Sequence, residues 1–144
     1  MEKPLVTHPS QLADLQEALD AHPEVRLLEA MRQLYDPNFT VIKDTIAKHP
    51  VNGATLTYMK YSSRYDAYLA GENPNIFSTR FAGGALMDLG VYLVGSAVAW
   101  FGMPDTATYM PHLLASGVDD DGVARLGYPD FDVVLRMGKT TNAV

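Results

Sequence analysis

The chain has 144 residues, about the length of one domain and long enough to bury a hydrophobic core. Apolar residues make up 47% of the chain and charged residues 19%, and the formal net charge of −6 disfavours a nucleic-acid-binding role. Because cysteine is absent, disulfides, thiolate nucleophiles and sulfur-bound zinc are excluded. Neither a signal sequence nor an apolar run of membrane-spanning length is evident, so we expect a soluble, cytoplasmic protein with no membrane contact.

The N-terminal part predicts a loop, a helix and a strand. Residues 1–9 contain two prolines and predict a loop, after which Ser10 can cap a helix over 10–21. The helix ends before Pro23, because a residue that precedes proline is pushed out of the α region. Residues 25–30 form a short apolar run, which predicts a buried strand. A helix followed by a strand is typical of the end of an alternating α/β unit.

The middle of the chain predicts two helices separated by a strand and a long irregular segment. Asp36 followed by Pro37 is a favourable start for the first helix. Residues 55–61 alternate and are rich in strand formers. Residues 62–81 show no clear period, which indicates either a binding loop or a short helix. Apolar residues spaced for one face then predict the longest helix of the chain, over 86–101.

The C-terminal part predicts three strands joined by turns. Residues 106–116 are strand-like, residues 119–122 predict a turn, and residues 123–126 predict a second strand. A third strand is predicted over 131–137, where apolar and polar residues alternate. The aspartates of the predicted turn lack the rest of a calcium-binding loop and the histidines lack ligand spacing, so we predict no metal site.

One pair of residues near the start of the longest helix suggests acid–base chemistry. Asp88 and Tyr92 are four residues apart, so their side chains lie on one face, one helical turn above the other. Two glycines, Gly83 and Gly84, introduce the helix and would let a ligand approach the backbone closely. A carboxylate beside a phenol in this position suits a general acid or base. The alternative is an ordinary pair on the helix surface.

Several motifs together carry a resemblance to a known family. They are the Glu2-Lys3-Pro4 loop, the helix-opening sequence AGGALMDLGVY from Ala82 to Tyr92, and the shorter segments Glu29-Ala30-Met31, Phe101-Gly102-Met103-Pro104 and Gly117-Val118-Asp119. In this order they resemble the motifs of Gfo/Idh/MocA oxidoreductases, and the resemblance spans essentially the whole chain. Tyr92, where many members carry histidine, is more similar to the glucose–fructose oxidoreductase and dihydrodiol dehydrogenase branch than to the inositol dehydrogenase branch.

The resemblance implies a fold class and a domain organisation. Residues 1–30 correspond to the end of a Rossmann nucleotide-binding domain. Residues 31–144 correspond to an α+β substrate-binding domain, with an open, mostly antiparallel sheet and helices packed on one face. The family's G-x-G-x-x-G turn, which seats the dinucleotide pyrophosphate, has no match in this sequence. We therefore expect a fragment, also truncated at its C-terminus, that by itself neither binds a dinucleotide well nor turns over.

The resemblance also implies an activity. In the complete enzyme a hydride passes between the nicotinamide of NAD or NADP and the carbinol carbon of a sugar, polyol or cyclic diol. The implied catalytic residues are Lys3, Asp88 and Tyr92. Tyr92 is the acid or base, Lys3 a cation that would lower the pKa of the phenol, and Asp88 a partner that orients the lysine or the substrate. Glu2, Lys3 and Pro4 are the implied cofactor-side residues, with a cis bond before Pro4.

Other implied roles stay open between alternatives. Arg32, Tyr35 and Arg80 are candidates for lining a polyol pocket, with surface ion pairs or packing as the alternative. The resemblance further implies a homo-oligomer, a dimer or tetramer, that forms through the open face of the sheet. Five apolar residues are candidates for that face: Met103, Tyr109, Met110, Leu113 and Leu135. The rival to the enzyme hypothesis is a non-catalytic binding or dimerisation module of the same shape.

Overall fold

The computed structural model, which describes residues 2–141, is built around a four-stranded sheet in the order β1-β4-β3-β2. The strands span Ala54–Met59 (β1), Thr106–Leu113 (β2), Asp119–Gly127 (β3) and Asp132–Gly138 (β4). Strand β1 pairs with β4 in parallel, whereas β4 with β3 and β3 with β2 are antiparallel. This open, mostly antiparallel sheet confirms the predicted α+β class.

Four α-helices accompany the sheet in the described part of the chain. They are Pro9–Ala21 (α1), Pro37–Ile46 (α2), Tyr65–Leu69 (α3) and Val91–Phe101 (α4), with short 3-10 helices at Arg32–Tyr35, Asn75–Phe77 and Thr79–Phe81. The long helix predicted over 86–101 is confirmed, although its first turn, Leu86–Gly90, is π-helical. The 62–81 segment contains short helices, which was one of its two predicted alternatives.

The core lies between the long helix and one face of the sheet. Its buried members come from the helix and from β3 and β4: Ala85, Leu89, Leu93, Ala97, Ala124, Leu126, Val133, Leu135 and Met137. Gly90 allows the helix to lie close to β4, because a Cβ there would be 2.7 Å from the sulfur of Met137. The sheet therefore fixes where the first turn of the long helix, and the residues it carries, can lie.

The helical stretch Thr79–Phe101 is 23 residues long and is apolar enough to cross a membrane by length and composition. This corrects the expectation that the chain has no apolar run of that length. A core helix passes the same test, and the buried side of this one packs on the sheet through Leu89, Leu93 and Ala97. The cytoplasmic location stays a prediction.

Three predictions of local structure are wrong. Residues 25–30 form no strand. Although they are apolar, none of the four strands pairs with them. Residues 119–122 begin β3 instead of forming a turn; the chain reverses earlier, where Gly117 has a φ of +83° and Leu114 N–H donates to the Val118 carbonyl. Helix α1 is capped by His8 instead of Ser10, since the His8 ring accepts from the backbone N–H of Ser10.

The two faces of the sheet differ from the assignment expected for an oligomer contact. Leu135 is fully buried in the core and Tyr109 packs against it, so both face the helix and not the open side. Met110 pairs with Val123 on the opposite face and is 63% exposed. The alternation along each strand therefore removes two of the five candidates from the open face.

Candidate functional site

The N-terminal loop is joined to the start of the long helix by an ion pair. The Lys3 Nζ lies 2.7 Å from Asp88 Oδ1 and also donates to the Asp88 carbonyl, and the lysine side chain is only 10% exposed. The Lys3–Pro4 bond is cis, as predicted. The Glu29 carboxylate accepts a 2.7 Å hydrogen bond from Leu5 N–H and so anchors the same loop. Two motifs separated in sequence thus hold Lys3 against the helix.

A second lysine, which sequence reasoning missed, completes this cluster. Lys139 donates to Asp88 Oδ2, and its side chain is 3% exposed. Its backbone N–H donates to the Asp120 carbonyl at 2.7 Å, so β3 also fixes it. In β4 the odd-numbered residues face the helix, and Lys139 continues the inward row of Leu135 and Met137. Extending the two-residue alternation of β4 beyond residue 137, where the predicted strand ends, would have identified Lys139 as an inward-facing residue.

The two glycines before the helix make room for the protein itself. A Cβ on Gly83 would lie 2.5 Å from the Ile76 carbonyl oxygen, and a Cβ on Gly84, whose φ is +121°, would lie 2.0 Å from Asp119 Oδ1. The Asp119 carboxylate uses this space to accept the Leu86 N–H at 2.7 Å, at the start of the helix. The neighbouring loop and an aspartate therefore occupy the space beside the glycines, while Gly83 also lines a cavity of about 190 Å³ with Lys3 and Asp88, so the prediction that the glycines let a ligand approach the backbone stays a prediction.

The charge state of Asp88 follows from its two ammonium partners. Partial burial opposes its ionisation, but hydrogen bonds from Lys139 and Lys3 outweigh this and lower the pKa of Asp88 below its ordinary value. The carboxylate is therefore ionised at neutral pH and bridges two lysines. A carboxylate with a lowered pKa is a weak proton acceptor, so this arrangement suits a positioning role better than that of a general base.

Tyr92 lies beside this cluster. The Lys3 Nζ is 4.7 Å from the centroid of the Tyr92 ring, and the Tyr58 ring is 6.0 Å away on a tilted plane. Lys3 thus meets the face of the phenol ring, while its described hydrogen bonds go to Asp88. The structure brings Lys3, Asp88 and Tyr92 together, and the acid–base role of Tyr92 stays a prediction.

Three cavities meet at Asp88. One of about 470 Å³ contains Tyr92 in its wall and is lined by Lys3, Arg32, Tyr58, Lys60, Tyr61, Ser62, Ser63, Asp88, Leu89, Tyr92 and Lys139. A second, of about 620 Å³, lies on the side of Asn75 and Arg64. A third, of about 190 Å³, is lined by Lys3 and Pro4. Asp88 is therefore accessible from several directions although its partners are buried.

The remaining predicted site residues are placed differently. Arg32 lines the cavity that contains Tyr92, and Glu2 is exposed beside Lys3 in sequence. Tyr35 is 74% exposed and Arg80 lies against the Phe81 ring, 5.4 Å from its centroid; neither lines any of the three cavities. Their substrate-binding roles stay predictions. Among residues 2–141 no group of three or more His, Asp or Glu side chains is arranged to hold a metal.

Comparison with known proteins finds relatives that are oxidoreductases. No family model matches the chain. It is 41% identical over 146 residues to the uncharacterised oxidoreductase YgjR of Escherichia coli, an alignment that covers 99% of this chain and 44% of that protein. It is 36% identical over 143 residues to scyllo-inositol 2-dehydrogenase (NADP(+)) IolU of Bacillus subtilis, covering 99% and 43%. Over nearly its whole length the chain is thus similar to part of two oxidoreductases, which is consistent with the C-terminal domain of the Gfo/Idh/MocA family.

The fold agrees with this family. The chain superposes on myo-inositol 2-dehydrogenase from Lactobacillus plantarum with a TM-score of 0.79 at 16% identity, covering 98% of this chain and 43% of that one. At this identity the likeness shows the fold alone. The chain spans less than half the length of the curated relatives it matches. Because one relative is named an inositol dehydrogenase, the branch assigned from Tyr92 stays a prediction.

Proposed function

We propose that this chain supplies the substrate-binding part of an NAD(P)-dependent oxidoreductase that acts on a sugar, polyol or cyclic diol. The observation that carries the proposal is the meeting of Lys3, Asp88 and Tyr92 at one cavity of about 470 Å³. Both curated relatives are named as oxidoreductases or dehydrogenases, and one of them as acting on an inositol, which supports a polyhydroxylated substrate.

Each site residue has a different role toward the substrate hydroxyl. A nicotinamide, when bound, gives or accepts the hydride at the carbinol carbon. The Tyr92 hydroxyl exchanges the proton of the carbinol oxygen as general acid or base. Lys3 has three N–H donors, and Asp88 accepts from two of them, so one donor remains to bind the same oxygen. Asp88 holds Lys3 and Lys139 in place.

The described residues fit the substrate side of such a site and not the phosphates of a dinucleotide. The space above Gly83 and Gly84 is filled by Ile76 and Asp119, and these glycines follow a 3-10 helix instead of a strand. We therefore assign the dinucleotide phosphates to residues outside this chain, with residues 1–30 as the end of the nucleotide-binding domain. The choice between NAD and NADP belongs to that domain.

The test compares Tyr92→Phe with the wild type in the longest reading frame that the gene encodes. We expect nicotinamide-dependent turnover on a panel of aldoses, inositols and cyclic diols, and a kcat about 10²- to 10⁴-fold lower in Tyr92→Phe with little change in KM. Tyr128→Phe is the matched control, because that hydroxyl donates to the Gly102 carbonyl, away from the cavity. The 144-residue chain alone is expected to be inactive.

Two results would contradict this assignment. Equal activity of Tyr92→Phe and the wild type would remove Tyr92 from the acid–base role. Absence of nicotinamide turnover on the whole panel, with an intact fold by circular dichroism, would favour the rival proposal of a non-catalytic binding or dimerisation module.

We also propose that the open face of the sheet binds a second copy of the chain in a homo-oligomer. The exposed Met110 and its neighbour Val123 lie on that face, and their pairing continues to Arg136 and Thr57 across the sheet. Light scattering of wild type and Met110→Asp tests this proposal. A monomeric wild type, or an unchanged assembly in the variant, would contradict it.

A further inference from the structure

The cavity beside Tyr92 has the opposite charge to the rest of the chain. Four cationic side chains line it, Lys3, Arg32, Lys60 and Lys139, against the single carboxylate of Asp88. The whole chain has a formal net charge of −6. The positive charge of this cavity attracts anions locally, although the protein as a whole is acidic.

The cluster at Asp88 does not neutralise this charge. One carboxylate serves two ammoniums there, those of Lys3 and Lys139, so one positive charge is left over. Within the part of the chain that the structure describes, neither Arg32 nor Lys60 forms an ion pair, and both residues are exposed. Two cations at the open side of the cavity are therefore available to a ligand.

Different elements of the fold bring these two cations to one cavity. Lys60 follows β1, and its backbone N–H donates to the Gly138 carbonyl at 2.9 Å. It therefore lies next to the residue that precedes Lys139, at the carboxyl ends of two parallel strands. Arg32 begins the 3-10 helix that follows the N-terminal segment and lines the same cavity. Lys139 is buried and binds Asp88, whereas Lys60 is exposed to solvent.

We propose that the substrate carries an anionic group, a carboxylate or a phosphate, which Arg32 and Lys60 bind while its hydroxyl lies at Lys3 and Tyr92. The inference rests on the proposed function and narrows its substrate class to a sugar acid or a sugar phosphate. A guanidinium and an ammonium form strong, charge-assisted hydrogen bonds with either anion. A neutral polyol would offer these cations only hydroxyl oxygens, which form weaker hydrogen bonds with them than a carboxylate or phosphate does.

The test compares neutral and anionic forms of one sugar in the longest reading frame of the gene. Glucose, glucuronate and glucose 6-phosphate are assayed with a saturating dinucleotide, for wild type, Arg32→Ala, Lys60→Ala and the control Lys43→Ala on α2. We expect at least one anionic form to exceed glucose about tenfold or more in kcat/KM. Each cavity variant should remove much of that preference by raising the KM of the anionic sugar, and Lys43→Ala should match the wild type.

Several outcomes overturn the proposal. Equal kcat/KM values for glucose, glucuronate and glucose 6-phosphate would contradict it. Variants that lower the kcat/KM of all three sugars equally would contradict it as well. A rise confined to the KM of the dinucleotide would assign the cations to the phosphates of the cofactor instead.

A separate binding measurement distinguishes failure of this proposal from failure of the proposed reaction. If no sugar turns over, calorimetry of the 144-residue chain with glucuronate, glucose 6-phosphate and glucose decides the matter. Binding of an anionic sugar that is lost in Arg32→Ala would support the anion site although the reaction failed. No binding, or equal binding of glucose, would contradict the anion site.

Discussion

Replacing Lys139 with methionine tests whether Asp88 is held by two ammoniums. Methionine keeps an unbranched apolar stem in a site that is 3% exposed, and removes the donor to Asp88 Oδ2. Asp88 keeps Lys3 at 2.7 Å. A hydrogen bond to a charged group contributes about 1.5–3 kcal/mol, and because the Asp88 side chain is 29% exposed, water replaces part of the loss. We expect the free energy of unfolding at pH 7 to fall by about 1.5–2 kcal/mol.

The pH dependence of this loss separates the charge from the packing. The folded-state pKa of Asp88 is lowered, so its stabilising contribution is present above its unfolded value of 3.8 and is lost as the pH falls through the folded value. The variant should raise the folded pKa of Asp88. The difference between wild type and variant is therefore largest near neutral pH and shrinks below 3.8.

Urea unfolding at pH 7 and at a pH below the folded pKa of Asp88, together with an NMR titration of the Asp88 carboxyl carbon, measures both quantities. Lys43→Met on the exposed side of α2 is the control and should change stability by no more than about 0.5 kcal/mol. A loss of the same size at both pH values would refute the reasoning, since it would show that the buried stem and not the ion pair stabilises the fold.

Two further predictions concern the frame around the site. Gly84→Ala should lower the free energy of unfolding by about 3 kcal/mol or more, because a Cβ there would lie 2.0 Å from Asp119 Oδ1. Gly71 also has a positive φ but has open space around it, so Gly71→Ala should cost about 1 kcal/mol. Equal losses in urea unfolding would contradict this prediction. The Asp120 carboxylate raises the pKa of His112, so its stabilisation is present below 6.5 and lost as the pH rises through the folded value. Thermal unfolding should show this loss in the wild type and not in His112→Gln.

Elements with a clear period could be predicted from the sequence. The long helix and the strands β1 and β4 carry apolar residues at their structural period, and Leu135 of β4 and Leu89 of the helix belong to the same buried core. The meeting of Lys3 with Asp88 had no local basis, since 85 residues separate them. Only the order of the motifs, compared with a known family, indicated that pair.

The failures have physical causes that a single sequence does not contain. Residues 25–30 are apolar enough for a buried strand, yet a strand exists only when another strand pairs with it. The aspartates at 119–121 have the composition of a turn, but Asp119 is drawn into β3 because it accepts the Leu86 N–H at the start of the helix. In both places a distant partner, and not local preference, decides the structure.

The charge of the cavity also differs from what the composition of the whole chain suggests. A net charge of −6 argues against a nucleic-acid-binding role, but composition averages over the whole surface. The fold instead gathers four of the cations around one carboxylate, at the ends of the parallel strands β1 and β4. A ligand meets the local field and not the average, since charges beyond about 10 Å are screened at ordinary ionic strength. An acidic chain can therefore hold a site that selects an anion.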